Sequence, residues 1–123
     1  MILVDSSVWI DHLRVGDAAL AERLELGIVL GHPFVLGELA CGRLRNRTEI
    51  LMLLADLPQA VPAADAEVLA MIERHRLMGR GIGYVDAHLL ASTLLTPDAA
   101  LWTRDRRVAN IARDLGIDGG SGH

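Results

Sequence analysis

Three short apolar runs lie far apart in this chain, and their spacing limits the folds open to it. Ile2-Leu3-Val4, Ile28-Val29-Leu30 and Ala100-Leu101-Trp102-Thr103 each read as a buried strand. The segments between them carry helical periodicity, so the order is strand, several helices, strand, helix, strand. Strands joined through helices lie parallel, with helices on both faces of the sheet. The reading is a single α/β domain over residues 1–118, with the glycine-rich stretch from Gly119 to His123 as a flexible tail.

The helices are marked by their punctuation. Ser6 and Ser7 are candidate N-caps for a helix over Val8 to Leu13, and Asp17 can cap a second that runs to about Leu26 and closes at Gly27. Pro33 opens a third, to about Leu44, which carries Glu38 and places Cys41 in its interior as a small buried hydrophobe. A fourth helix covers about Thr48 to Leu57, and Pro58 and Pro62 bracket the extended piece Gln59-Ala60-Val61. Ala64 to Met78 is helical, with Val68, Leu69, Ile72 and Leu77 on the buried side. After the flexible loop Gly79-Arg80-Gly81-Ile82-Gly83, helices are expected over Tyr84 to Leu95 and about Asp105 to Leu115.

Composition removes several chemistries. The twelve basic residues are all arginine; without lysine there is no P-loop, no Schiff-base nucleophile and no receiver-type phosphoacceptor site. A single cysteine excludes an intrachain disulfide and a cysteine zinc site. His12, His32, His75, His88 and His123 fall in no metal-binding spacing. The net charge of −4 argues against coating nucleic acid by bulk electrostatics. No apolar run reaches the roughly eighteen residues of a membrane span, so a soluble, cytoplasmic domain is expected.

Most of the sixteen acidic residues sit on solvated helix faces or at turns. Four are placed differently. Asp5 and Asp105 follow strands at their carboxyl ends, where open parallel sheets bind ligands. Glu38 lies in the apolar stretch Phe34 to Ala40, and Asp86 in the least polar helix. Taken singly, helix capping explains Asp5 and Asp105, support of a helix N-terminus explains Asp86, and an arginine partner explains Glu38. Taken together, a convergent carboxylate set without lysine suggests a hard divalent cation, Mg²⁺ or Mn²⁺, able to activate water and polarise a phosphoryl oxygen.

Four segments carry a family resemblance. Ile2-Leu3-Val4-Asp5-Ser6-Ser7-Val8-Trp9-Ile10-Asp11, Gly37-Glu38-Leu39, Gly83-Tyr84-Val85-Asp86-Ala87-His88-Leu89-Leu90-Ala91 and Leu101-Trp102-Thr103-Arg104-Asp105-Arg106-Arg107 resemble, in order, the motifs of PIN-domain ribonucleases. They are most similar to the VapC toxins of bacterial toxin–antitoxin pairs. The resemblance implies a three-layer α/β/α fold around a central parallel sheet of about four to five short strands. It implies Asp5, Glu38, Asp86 and Asp105 as the acidic site for Mg²⁺ or Mn²⁺, with Ser6 and Thr103 as hydroxyls beside it. It also implies RNA hydrolysis and a cognate VapB-type antitoxin in a groove reaching the site.

RNA approaching an acidic pocket needs cations at the rim. Arg104, Arg106 and Arg107 beside Asp105 are the first candidates, and Arg43, Arg45 and Arg47 after the Glu38 helix the second. A solvated helix end explains either run equally well. High apolar content in a small domain is compatible with a homodimer. The competing readings are a metal-dependent nuclease acting on DNA, a phosphatase, and a non-catalytic module that binds RNA or antitoxin. Haloacid-dehalogenase phosphatases need a second aspartate where Ser7 stands, which counts against them.

Overall fold

The computed structural model describes residues 1–120. The order of elements is β1 (Ile2–Val4), α1 (Ser6–Val15), α2 (Ala18–Glu25), β2 (Val29–Leu30), α3 (Pro33–Ala40), α4 (Arg47–Asp56), α5 (Asp65–His75), α6 (Tyr84–Leu95), β3 (Ala100–Trp102) and α7 (Arg106–Asp114). The sheet runs β2-β1-β3, all parallel, with Leu3 level with Leu30 on one side and Leu101 on the other. Successive strand residues point to opposite faces. Leu3 and Val4, Val29 and Leu30, and Leu101 and Trp102 are all buried, so both faces are covered.

The sheet has three strands among the described residues, fewer than the four to five expected. Each edge is widened by a single parallel bridge, Gly31 with Gln59 and Leu101 with Asp118. At the first edge Pro58 and Pro62 flank the extended piece. Neither has an N–H to donate, so pairing stops at the contacts from Gly31 N to Pro58 O and from Ala60 N to Gly31 O. At the other edge Gly119 runs beside β3, donating to Leu101 O at 2.8 Å. Ser121 to His123, the rest of the expected tail, lie outside the described residues.

Four local expectations are corrected. Asp5, rather than Ser6 or Ser7, caps α1. Helix α3 ends at Ala40 because the Arg47 guanidinium takes the carbonyls of Ala40 and Gly42. Arg43 and Arg45 therefore stand in the loop before α4, and Cys41 is exposed at the helix end rather than buried. In α5 the buried positions are Val68 and Met71, whereas Leu69 points to solvent. Helix α6 is buried on every side from Ala87 to Thr93. Its buried hydroxyls are satisfied, Thr93 donating to Leu89 O and Ser92 paired with His32.

Candidate active site

The central strand β1 is made first, and the chain then places β2 on one flank and β3 on the other. The carboxyl end of β1 is therefore the switch point at which such sheets hold ligands. Asp5 stands there, its N–H continuing the ladder to Trp102 O at 2.9 Å. Its buried carboxylate is gripped on one oxygen. Oδ2 accepts from Ser7 Oγ at 2.6 Å, from Ser7 N at 3.3 Å and from Thr103 Oγ1 at 3.0 Å. Both hydroxyl protons are thus committed to Asp5, and their oxygens in turn accept the amides of Arg104 and Asp105.

Asp105 is exposed and caps α7, its Oδ1 accepting from Arg107 N and Val108 N. Asp86 lies in the first turn of α6 and takes the Gly83 N–H on Oδ2 at 3.1 Å. Burial pushes the Asp86 carboxyl above its usual range; the Gly83 amide opposes this, and repulsion from Asp5 and Asp105 adds to it. Those repulsions bring three carboxylates from three distant segments into one electrostatic neighbourhood. Glu38 is exposed on α3 and joins the group through α1, its Oε1 accepting from Ser6 Oγ at 2.9 Å. Its partner is this hydroxyl, not an arginine. Capping and a shared site are compatible roles for Asp5, Asp86 and Asp105.

Ser7 is the contributor that the sequence reading passed over. Its offset of two from Asp5 looks like an ordinary capping serine, and the bond to β3 closes only in the folded chain. The donor set, four carboxylates with hydroxyls behind them, suits a hard cation that takes oxygen ligands. Among the described residues no three His, Cys, Asp or Glu side chains are turned so as to hold one ion together. Each of the four carboxylates is instead bonded to an amide or hydroxyl of its own surroundings.

The arginines divide into two groups. Arg104 pairs with Asp11 at 2.7 Å and also with Asp17, bracing the β3–α7 turn against α1 and the start of α2. Arg107 donates to Gly81 O at 3.3 Å, and Arg106 is exposed. Arg43 and Arg45 line a groove of about 700 Å³ with Ile10, Leu13, Leu39 and Glu38. That groove opens beside Glu38 and not over Asp5.

A second polar group lies on the other face of α6. His32 caps α3 through Nδ1, which accepts Phe34 N, and its Nε2 meets Ser92 Oγ at 3.0 Å. Burial, with repulsion from His88, pulls the His32 pKa down to about 4. Asp65 accepts from Tyr84 and His88, and these bonds hold its carboxyl below the usual range.

A parallel α/β domain with carboxylates gathered at the end of its central strand has the layout of a PIN domain. Residues 2–114 match the PIN domain family, and the chain belongs to that family. It is 48% identical over 117 residues to Ribonuclease VapC32 of Mycobacterium tuberculosis, in strains CDC 1551 / Oshkosh and ATCC 25618 / H37Rv, covering 95% of this chain and 94% of each relative. Among the described residues no helix is long and apolar enough to cross a membrane.

Proposed function

We propose that this chain is a metal-dependent endoribonuclease, the toxin of a VapBC-type toxin–antitoxin pair, which inhibits translation by cutting RNA phosphodiester bonds. The observation that carries the reading is the joining of Asp5 and the Asp105 turn through Ser7 and Thr103 at the sheet's carboxyl edge in a PIN-domain chain. The likeness to Ribonuclease VapC32 along nearly the whole chain supports the RNA substrate.

Nucleases of this family use divalent metal, and the oxygen donor set here favours Mg²⁺ or Mn²⁺. Asp5 and Asp86 would hold the ion directly, with Glu38 and Asp105 acting through water or at a second position. When bound, the ion supplies a more acidic water and offsets charge on the phosphoryl oxygens. The chain's own residues orient and attract. Ser7 and Thr103 hold Asp5 by Oδ2 and leave Oδ1 without a bond from either hydroxyl. Ser6 steers Glu38 in the same way. Arg106 and Arg107 beside Asp105, and Arg43 and Arg45 in the groove beside Glu38, would meet flanking phosphates. Arg104 is already neutralised by two carboxylates and is the weakest candidate of the set.

The apolar floor and arginine rim of the groove beside Glu38 favour it as the seat of a VapB-type antitoxin. Exposed Leu94 and Leu95 favour a homodimer, and an RNA substrate makes the cytoplasm its place of action. The test is cleavage of pooled tRNA, rRNA and mRNA by the antitoxin-free chain, with Mg²⁺ or Mn²⁺, with EDTA, and with Asp5→Ala. Cutting that needs both metal and Asp5 supports the ribonuclease. Cutting of matched single-stranded DNA in preference to RNA moves the substrate to DNA. RNA binding without cutting under any condition leaves a non-catalytic module.

A further inference from the structure

The first turn of α6 presents Asp86, and the chain leading into it is rich in glycine. Gly79, Gly81 and Gly83 fill three of the five loop positions, and Gly83 as N-cap has no side chain to hold the helix amides. Asp86 supplies half of a capping box by taking the Gly83 N–H on Oδ2. That bond engages Oδ2 and leaves Oδ1 for a metal ion, so the place from which Asp86 serves the site depends on how the turn itself is held.

Asp65, the first residue of α5, holds that turn. Its Oδ1 accepts from Tyr84 Oη at 2.7 Å and from His88 Nε2 at 2.9 Å. A carboxylate only accepts, so His88 donates through Nε2. Tyr84 and His88 are one turn apart on α6, on the face opposite Asp86. Their rings meet edge to face at 4.7 Å, and Phe34 at the start of α3 closes on His88 at the same distance. His88 is buried, whereas Asp65 reaches in from solvent. The first turn of α6 is thus clamped to both α5 and α3 without any use of Asp86.

We propose that Asp65 is a positioning residue for the cleavage reaction. By holding Tyr84 and His88 it fixes the rotation and height of the first turn of α6, and so the point from which the Asp86 carboxylate serves the site. The proposal rests on the ribonuclease reading, because it takes Asp86 as a metal ligand. Asp65 touches neither substrate nor metal and acts only through Asp86.

The test compares Asp65→Ala, Asp65→Asn and Tyr84→Phe with the wild type, each well below its own Tm. Mn²⁺ affinity is read by electron paramagnetic resonance, and kcat and KM on RNA are measured separately. Outer partners of metal ligands typically change affinity or activity by roughly tenfold or more. In Asp65→Ala, Mn²⁺ affinity and kcat should each fall about tenfold with KM within about twofold. Asp65→Asn, whose carbonyl accepts the same two bonds, should recover both to within about threefold, and Tyr84→Phe should lie between. A lowered Tm with wild-type Mn²⁺ affinity and kcat in Asp65→Ala would reduce Asp65 to a structural role and overturn the proposal. So would an Asp65→Asn as impaired as Asp65→Ala. A wild type that neither binds Mn²⁺ nor cuts RNA overturns the ribonuclease reading and this proposal together.

Discussion

Thr103 Oγ1 donates to Asp5 Oδ2 at 3.0 Å across 98 residues of sequence, tying the carboxyl ends of β3 and β1 together at the acidic edge. Hydrogen bonds to a charged group contribute about 1.5–3 kcal/mol. Thr103→Ala should therefore lower unfolding free energy by about 2 kcal/mol and reduce cleavage, while Thr103→Ser recovers most of both. Urea denaturation beside RNA cleavage measures the two effects; an unchanged Thr103→Ala would deny Thr103 this role.

Asp86 should behave in the opposite way. Its ionised form is disfavoured by burial and by Asp5 and Asp105. In EDTA, Asp86→Asn should keep or raise Tm, since the amide carbonyl still accepts the Gly83 N–H and the repulsion is gone. Cleavage should be lost. A variant that both cuts RNA and melts earlier contradicts the assignment on each count.

The arginines should separate by partner. Arg104→Gln breaks two ion pairs and should destabilise the chain by about 1 kcal/mol with little change in RNA affinity. Arg106→Glu should weaken RNA binding and make it less sensitive to salt, with stability unchanged. Fluorescence anisotropy over a salt series distinguishes these outcomes, and equal losses of affinity at both positions would show that Arg104 leaves its carboxylates for phosphate.

His32 predicts an acid limit. Its folded pKa of about 4 lies below the ordinary value near 6.5. Between those values the unfolded chain binds a proton that the folded chain refuses. This contribution is complete above about pH 6.5 and is lost as pH falls through about 4, amounting to roughly 3 kcal/mol. Urea midpoints from pH 7.5 to 4.5 should decline accordingly. His32→Asn, which can still cap α3, should flatten that decline. A slope equal to that of the wild type would place the titration elsewhere.

Periodicity carried most of the fold. Among the described residues the seven helices and three strands are marked by apolar spacing, several of the helices also by a capping residue, and Asp5, Asp86 and Asp105 stand out because each interrupts or ends an apolar segment. What escaped the sequence depends on partners distant along the chain. Ser7 reads as a cap until β3 brings Thr103 to the same carboxylate. Arg104 reads as a free cation until Asp11 and Asp17 reach it. Helix α3 looks continuous through Cys41 because its apolar spacing does not announce that Arg47 will take the Ala40 carbonyl. Asp65 resembles any exposed helix-start acid, and only the packing of α5 on α6 brings it to His88.

The parallel pairing of β1 with β3 also sets when activity can begin. Asp5 is made 98 residues before Thr103, whose hydroxyl orients it from the end of the strand Ala100–Trp102. Pairing of such high sequence separation closes slowly and late. A growing chain therefore carries Asp5 with its orienting hydroxyl and its acidic neighbours not yet made. Synthesis order itself thus holds back assembly of the acidic edge until β3 has been made.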